Sequence, residues 1–263
     1  MVDDSLRSVL GQRPCGLLTD IDGTISSIAP TPDAAFVTPT ARQYLARLAE
    51  RLDLVAAISG RAAADAARMV GLPQLVYIGN HGLDVWRNGV GQPLPVAAPF
   101  AAAIADVLRE AQAQIDLPGV LWENKGVTAS VHYRQAADPQ AVQAELGAVL
   151  GALTAGNGLR LTSGLMVWEI RPPLQINKGV AVRSLVEEHG LRGTFFLGDD
   201  RTDADAFAAL RELRAVGTCA TLAIGVLDAD TPAIVRETAD VLVDGVAGVE
   251  HVLGKMVALV EAG

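Results

Sequence analysis

The stretch Cys15-Gly16-Leu17-Leu18-Thr19-Asp20-Ile21-Asp22-Gly23-Thr24 decides how this chain is read. Its apolar start reads as a buried strand. The strand ends in two carboxylates, two residues apart, followed by Gly-Thr. If it continues through Asp22, its period of two sets both carboxylates on one side. Like charges that close are costly unless a cation or a proton lies between them. The pattern therefore suits a bound Mg²⁺, a nucleophile paired with an acid, or both. The alternative is an Asp-Gly turn after a strand.

Three later segments favour chemistry over the turn. Val55-Ala56-Ala57-Ile58-Ser59-Gly60-Arg61 is another apolar strand, ending in a small hydroxyl and a Gly that lets backbone approach a ligand. In Ile176-Asn177-Lys178-Gly179, Asn177 is a fair N-cap and Lys178 falls in the first helical turn. A Lys there opposes the helix dipole, so its placement suggests a nearby anion. Phe195-Phe196-Leu197-Gly198-Asp199-Asp200-Arg201-Thr202-Asp203 is a third strand with paired carboxylates at its tip. Asp203 and Asp205 also suit the start of the helix that follows.

Around these segments, apolar strands and periodic helices alternate. The pattern predicts a helix from Pro39, a strand over 54–59, a helix over 62–70 and a strand over 75–79. After a middle region come a helix over 178–189, a strand over 194–198, a helix over 202–213, strands over 221–226 and 241–243, and a last helix from about Gly248. Such alternation with near-continuous apolar strands means an α/β fold, a parallel sheet covered on both faces. Ligands bind beyond the carboxyl ends of such strands, where Asp20, Ser59 and Asp199 lie. The middle, 83–173, has a different pattern. A Gly- and Pro-rich stretch (89–99) leads into a helix-strand-strand unit that is then repeated, an α+β sheet with one face packed on helices. Val127, Ala129, Val131 and Tyr133 alternate with Thr128, Ser130, His132 and Arg134. A small domain inserted between the halves 1–82 and 174–263 reads as a cap on their core.

The chain has 263 residues, 50% hydrophobic and only 4% aromatic, enough for one sizeable core or two smaller ones. A net charge of -9 argues against nucleic acid or an anionic membrane surface as the main partner. No run is long enough to span a bilayer, and the N-terminal residues lack the pattern of a secretory signal. Cys15 and Cys219 have no metal-like spacing and suit a reducing, cytoplasmic compartment. Lysine occurs three times, at Lys125, Lys178 and Lys255, against eighteen arginines. Two of the three lie in segments singled out on other grounds.

In order, the pattern Asp-x-Asp-Gly-Thr, Ser, Lys, Gly-Asp-Asp resembles the haloacid dehalogenase-like phosphotransferase superfamily. The position of the insertion is similar to that of its larger, C2B-type cap. Within that branch the chain resembles the trehalose-6-phosphate phosphatases. The likeness rests on Asp20–Pro30, Ile58–Arg61, Gly79-Asn80-His81-Gly82, Ser130–Arg134, Glu169-Ile170-Arg171-Pro172 with Asn177-Lys178-Gly179, and Gly198–Phe207. Ile21 and Ala204 stand where family members often carry an aromatic residue and a Glu.

The resemblance implies a Rossmann-like core and a Mg²⁺-dependent phosphatase acting through an aspartyl-phosphate. In it Asp20 is the nucleophile and Asp22 the acid and base. Ser59 and Lys178 bind phosphoryl oxygens, with Thr24 nearby. Asp20, the carbonyl of Asp22 and Asp199 hold the metal, supported by Asp200 and Asp203. Arg61, Asn80, His81, Lys125, His132, Arg134, Glu169 and Arg171 are the candidate substrate contacts. The expected partner is a small sugar phosphate met by a monomer. Other expected readings are a relative acting on a glycosyl-phosphoglycerate or sucrose phosphate, and a catalytically silent sugar-phosphate-binding regulator.

Overall fold

A computed structural model describes residues 2–29, 31 and 34–262. Pro30, the end of the first matching stretch, lies outside them. Two compact units are present, Met1–Gln92 with Ile176–Gly263, and Pro93–Gln175.

The first unit is built on an eight-stranded sheet. Its first crossing runs through α1 (Val2–Leu10), β1 (Cys15–Thr19), α2 (Pro39–Ala49), β2 (Leu54–Ile58), α3 (Ala63–Val70) and β3 (Val76–Gly79). The hairpin β4 (Asp84–Arg87) and β5 (Val90–Pro93) follows. The second unit contributes α4 (Ala101–Gln114), β6 (Leu121–Asn124), β7 (Ala129–His132), α5 (Pro139–Gly156), β8 (Arg160–Gly164) and β9 (Val167–Arg171). The chain returns through α6 (Lys178–Glu188), β10 (Gly193–Gly198), α7 (Asp203–Ala215), β11 (Ala220–Leu227), α8 (Ala233–Thr238), β12 (Val241–Asp244) and α9 (Gly245–Ala262).

The strand order is β12-β11-β10-β1-β2-β3-β4-β5, parallel except for the hairpin. Side-chain alternation divides the strands between two cores. Leu17, Val55, Ala57, Phe195 and Leu197 pack with α1, α2 and α9, whereas Leu18, Ala56, Ile58 and Phe196 pack with α6 and α7. On the second face the rings of Phe196 and Phe207 meet edge to face, 5.9 Å apart. From β1 the chain runs one way to β2 and β3, and from β10 it runs the other way. The order therefore reverses between β1 and β10, which in an open parallel sheet marks the ligand-binding end.

Three observations differ from the sequence reading. Helix α1 goes beyond it, because only Leu6, Val9 and Leu10 of its polar sequence are buried. The boundary after Gly82 moves to Gln92, because residues 84–93 extend the large sheet. Asn88 and Gly89, at φ 52° and 80°, give the two-residue turn that hairpins favour. Finally, β1 ends at Thr19, so Asp20 and Asp22 are not alternate residues of one strand, and they pair with different cations, Lys178 and Arg61.

The second unit is an antiparallel sheet of order β6-β7-β9-β8. Ala129, Val131 and Ile170 pack on Ile104, Val107, Leu146 and Leu150 of α4 and α5. Its other face carries the row Glu123, Ser130, Glu169, Thr162 across all four strands.

Candidate active site

Asp20 and Asp199 leave the tips of the adjacent strands β1 and β10, and the Asp20 N–H donates to the Leu197 carbonyl at 2.8 Å. Lys178 opens α6 behind the cap residue Asn177, whose side chain accepts from the Val180 N–H at 3.0 Å. The Lys178 side chain is 1% exposed, with Nζ 2.9 Å from Asp20 Oδ1 and 2.7 Å from Asp203 Oδ1. These two carboxylates are the anions that its place at a helix start foretells. The other oxygen of Asp203 accepts the N–H groups of Asp199 and Asp200, at 2.9 and 3.0 Å. Asp203 thus anchors both the lysine and the β10 tip. Asp200 accepts from the Thr202 N–H and Oγ1, both at 2.7 Å, and so closes the start of α7. Thr24 Oγ1 donates to Asp199 Oδ1 at 2.8 Å. Gly23 lies so close that a Cβ there would be 2.1 Å from Asp199 Oδ2, and its φ of 86° excludes most side chains as well.

Charge in this cluster is unbalanced. Burial pushes Asp20 up to about 7 despite the pull of Lys178, with Asp199 adding to the rise. Burial, then Asp203 and Asp200, push Asp199 up to about 8. Asp200 goes the other way. Burial alone would raise it, but Lys178 and its hydrogen bonds carry it down to about 2. Burial would strip the Lys178 proton, yet Asp20 and Asp203 hold it well above its ordinary range. One ammonium therefore faces several carboxylates. Oxygens of Asp20, Asp199 and Asp203 lie within 4.8 Å of one another, an all-oxygen set suited to a hard divalent cation. Because the Asp203 oxygens already serve Lys178 and two backbone donors, Asp20 and Asp199 are the better ligands.

Asp22 turns to Arg61, which forks it with Nε–Oδ2 at 2.6 Å and a second contact to Oδ1 at 2.8 Å. Ser59, at the β2 tip, accepts the Arg61 N–H on its hydroxyl at 3.2 Å. The β3 tip ties in through Asn80 N–H to the Arg61 carbonyl (2.7 Å) and His81 N–H to the Ser59 carbonyl (3.0 Å). Asn80 and His81 both have left-handed backbones, φ 50° and 57°. Such conformations are uncommon outside Gly and collect at functional turns. A Cβ at Gly60 would be 2.7 Å from the His81 ring, so a side chain there would require that ring to move.

In the second unit, the structure joins Lys125, His132, Glu169 and Arg171 through Glu123, a residue the sequence reading passed over. Glu123 Oε2 is 3.1 Å from His132 Nε2 and 3.8 Å from Lys125 Nζ. Glu169 is 4.0 Å from both Lys125 and Arg171. The signal was available. Glu123 lies two residues before Lys125, on a strand whose other face carries Trp122. Arg134 is exposed in the turn after β7 and makes no ion pair among the described residues.

The trehalose-phosphatase family model matches residues 18–229, which include the strand-tip residues, Lys178 and the whole inserted unit. The chain belongs to the trehalose-phosphatase family. A trehalose-phosphate phosphatase of Mycobacterium avium is 36% identical over 214 residues, 76% of this chain and 52% of that protein. One from Mycobacterium marinum is 37% identical over 215 residues, 75% of this chain and 54% of that protein. The chain thus spans about half the length of the curated relatives it matches. Among solved structures, the C-terminal domain of a Candida albicans trehalose-6-phosphate phosphatase superposes with a TM-score of 0.76 at 23% identity, over 98% of this chain and 97% of that one. A haloacid dehalogenase-like hydrolase from Bacteroides thetaiotaomicron gives 0.62 at 12%, over 93% and 100%. These structures establish the haloacid dehalogenase fold: a parallel-sheet core with an inserted α+β unit.

Proposed function

We propose that the chain is a Mg²⁺-dependent phosphatase that converts trehalose 6-phosphate to trehalose and phosphate, acting as a cytoplasmic monomer. The observation that carries the reading is the buried Asp20–Lys178–Asp203 chain beside Asp199, in a member of this family. Asp20 is the nucleophile and Asp22 the group that gives and takes protons. Lys178, with Ser59, receives the phosphoryl oxygens. Asp20, Asp199 and the Asp22 main-chain carbonyl would hold Mg²⁺, which when bound offsets the charge of the carboxylates and of the phosphoryl group. Phosphate release over a panel of sugar phosphates tests the assignment. Trehalose 6-phosphate should be hydrolysed fastest. A clear preference for sucrose phosphate or a glycosyl-phosphoglycerate would overturn the substrate, and no release from any ester would overturn the reaction.

The cation has a consequence apart from turnover. Asp20 and Asp199 titrate higher in the fold than in the unfolded chain, so between about pH 4 and 8 the folded form holds more protons. Their stabilisation is full at the acid end and is lost as pH rises through their folded values. Chelated protein should therefore lose stability from pH 5 to 8. Added Mg²⁺ should raise the melting temperature by on the order of 5 °C at pH 8 and far less at pH 5. An equal rise at both pH values would contradict the ligand set.

The polar face of the second unit supplies the choice of sugar. Every phosphomonoester shares the phosphate, so discrimination comes from groups that meet hydroxyls. Glu123, Lys125, His132, Glu169 and Arg171 gather polar side chains of both kinds, donors and acceptors, within 3.1–4.0 Å of one another in a linked series. Lys125→Ala and Glu169→Ala should each lower kcat/KM for trehalose 6-phosphate about tenfold, roughly 1.4 kcal/mol. The loss on a small aryl phosphate should be much smaller. Equal losses on the two substrates would remove the selectivity role.

A further inference from the structure

We infer that Arg61 is a positioning residue for Asp22, orienting it as the proton acceptor for the water that attacks the phosphorylated enzyme. The inference rests on the phosphatase reading above. In the first half-reaction an Asp20 oxygen bonds to phosphorus. The ester bond to the leaving oxygen breaks, and that oxygen keeps the electron pair and takes a proton from Asp22. In the second, the water oxygen bonds to phosphorus and Asp22 takes one of its protons. The phosphorus–Asp20 bond then breaks, and its electron pair returns to the carboxylate.

The geometry points to the second step. Arg61 engages both Asp22 oxygens side-on, through Nε and a terminal nitrogen, which fixes the plane of the carboxylate as well as its place. A single-point cation would leave that plane free to turn. Both residues are held well enough for this to matter. Arg61 is pinned at its N–H by Ser59 and at its carbonyl by Asn80, and its side chain is only 16% exposed. Asp22 is twice as exposed, at 34%, and follows the end of β1 rather than lying within it. Arg61 therefore joins three strand tips, those of β1, β2 and β3, at the carboxylate that moves protons. The left-handed turn at Asn80 and His81 is part of that support, because it directs the Asn80 N–H at the Arg61 carbonyl. Both Asp22 oxygens accept from Arg61, so the fork presents this side chain as an acceptor, the part it plays in the second step.

Rapid-mixing kinetics with Mg²⁺ and 2,4-dinitrophenyl phosphate test this. That leaving group departs without a proton, so the burst of dinitrophenolate reports the first step alone and the steady state reports the second. Arg61→Gln should keep the burst rate within about threefold, while the steady-state rate falls about tenfold or more and the burst amplitude rises towards one per site. Arg61→Lys, which keeps the charge without the fork, should behave like Arg61→Gln. In an Asp22→Asn background Arg61→Gln should add nothing further, because it acts through Asp22. A slowed burst with an unchanged amplitude would make Arg61 a phosphate contact. Full recovery by Lys would make charge rather than orientation its contribution. Additive losses with Asp22→Asn would give it a separate role. Any of these overturns the inference while sparing the phosphatase reading. Wild-type protein that shows neither burst nor turnover with any ester would overturn both.

Discussion

Replacing Asp20 with Asn should abolish turnover, by on the order of 10³-fold or more, without unfolding the protein. The amide is a poor nucleophile, and the neighbouring carboxylates among the described residues are already engaged. Asp199 is held by Thr24, Asp203 by Lys178 and two backbone donors, and Asp22 by Arg61. The fold should survive because Asn is nearly isosteric and can still accept from Lys178, while that lysine keeps Asp203 at 2.7 Å. The variant also removes one of the charges that repel each other in the metal-free cluster. Its thermal stability under chelation at pH 8 should therefore equal or exceed that of the parent. Residual activity within tenfold of the parent, or a variant that fails to fold, would contradict this account of the site.

Lys178→Ala should be the more damaging change, because it removes both the proposed phosphoryl contact and the ammonium that, among the described residues, pairs with the buried Asp20 and Asp203. Taking away one member of a buried ion pair leaves the other charge uncompensated, at about 3–5 kcal/mol. Here two carboxylates, Asp20 and Asp203, lose their shared partner. The sign with pH follows. Without the ammonium both acids titrate still higher in the fold, so the loss is largest at pH 8 and shrinks as pH falls and they take up protons. Denaturant unfolding at pH 8 and pH 5 checks it. A loss that is pH-independent would mean the lysine contributes by packing alone. A variant as stable as the parent at pH 8 would mean the carboxylates are not ionised in the resting site.

Much of this was legible in the sequence. Near-continuous apolar strands and period-3.6 helices gave the parallel sheet and its covering helices, since packing on two faces leaves few polar positions in a strand. Asn177-Lys178 gave the cap, the helix start and the need for an anion nearby. What was lost lay in long-range pairing. That Asp22 turns from Asp20 to Arg61 depends on where β1 ends, and the alternation continues past that point, through Ile21. That Thr24 donates to Asp199 is a contact between positions 175 apart in the chain. Glu123 joined the polar row only through its register with Ser130 and Glu169, which the strand alone does not show. The Gly- and Pro-rich stretch from Gly89 fits a boundary or a hairpin equally, because the second strand there is short, exposed and closed by Pro93.

The central claim is that Asp20 is phosphorylated during hydrolysis of trehalose 6-phosphate. Acid quenching at millisecond intervals after mixing the protein with trehalose 6-phosphate and Mg²⁺, followed by peptide mass analysis, tests it most directly. The peptide carrying Asp20 should gain the mass of one phosphoryl group before the first free phosphate appears and should lose it once the substrate is spent. The same mass gain should be absent from the Asp20→Asn variant. Phosphate released at the full rate with Asp20 never modified, or the phosphoryl group found on another residue, would contradict it.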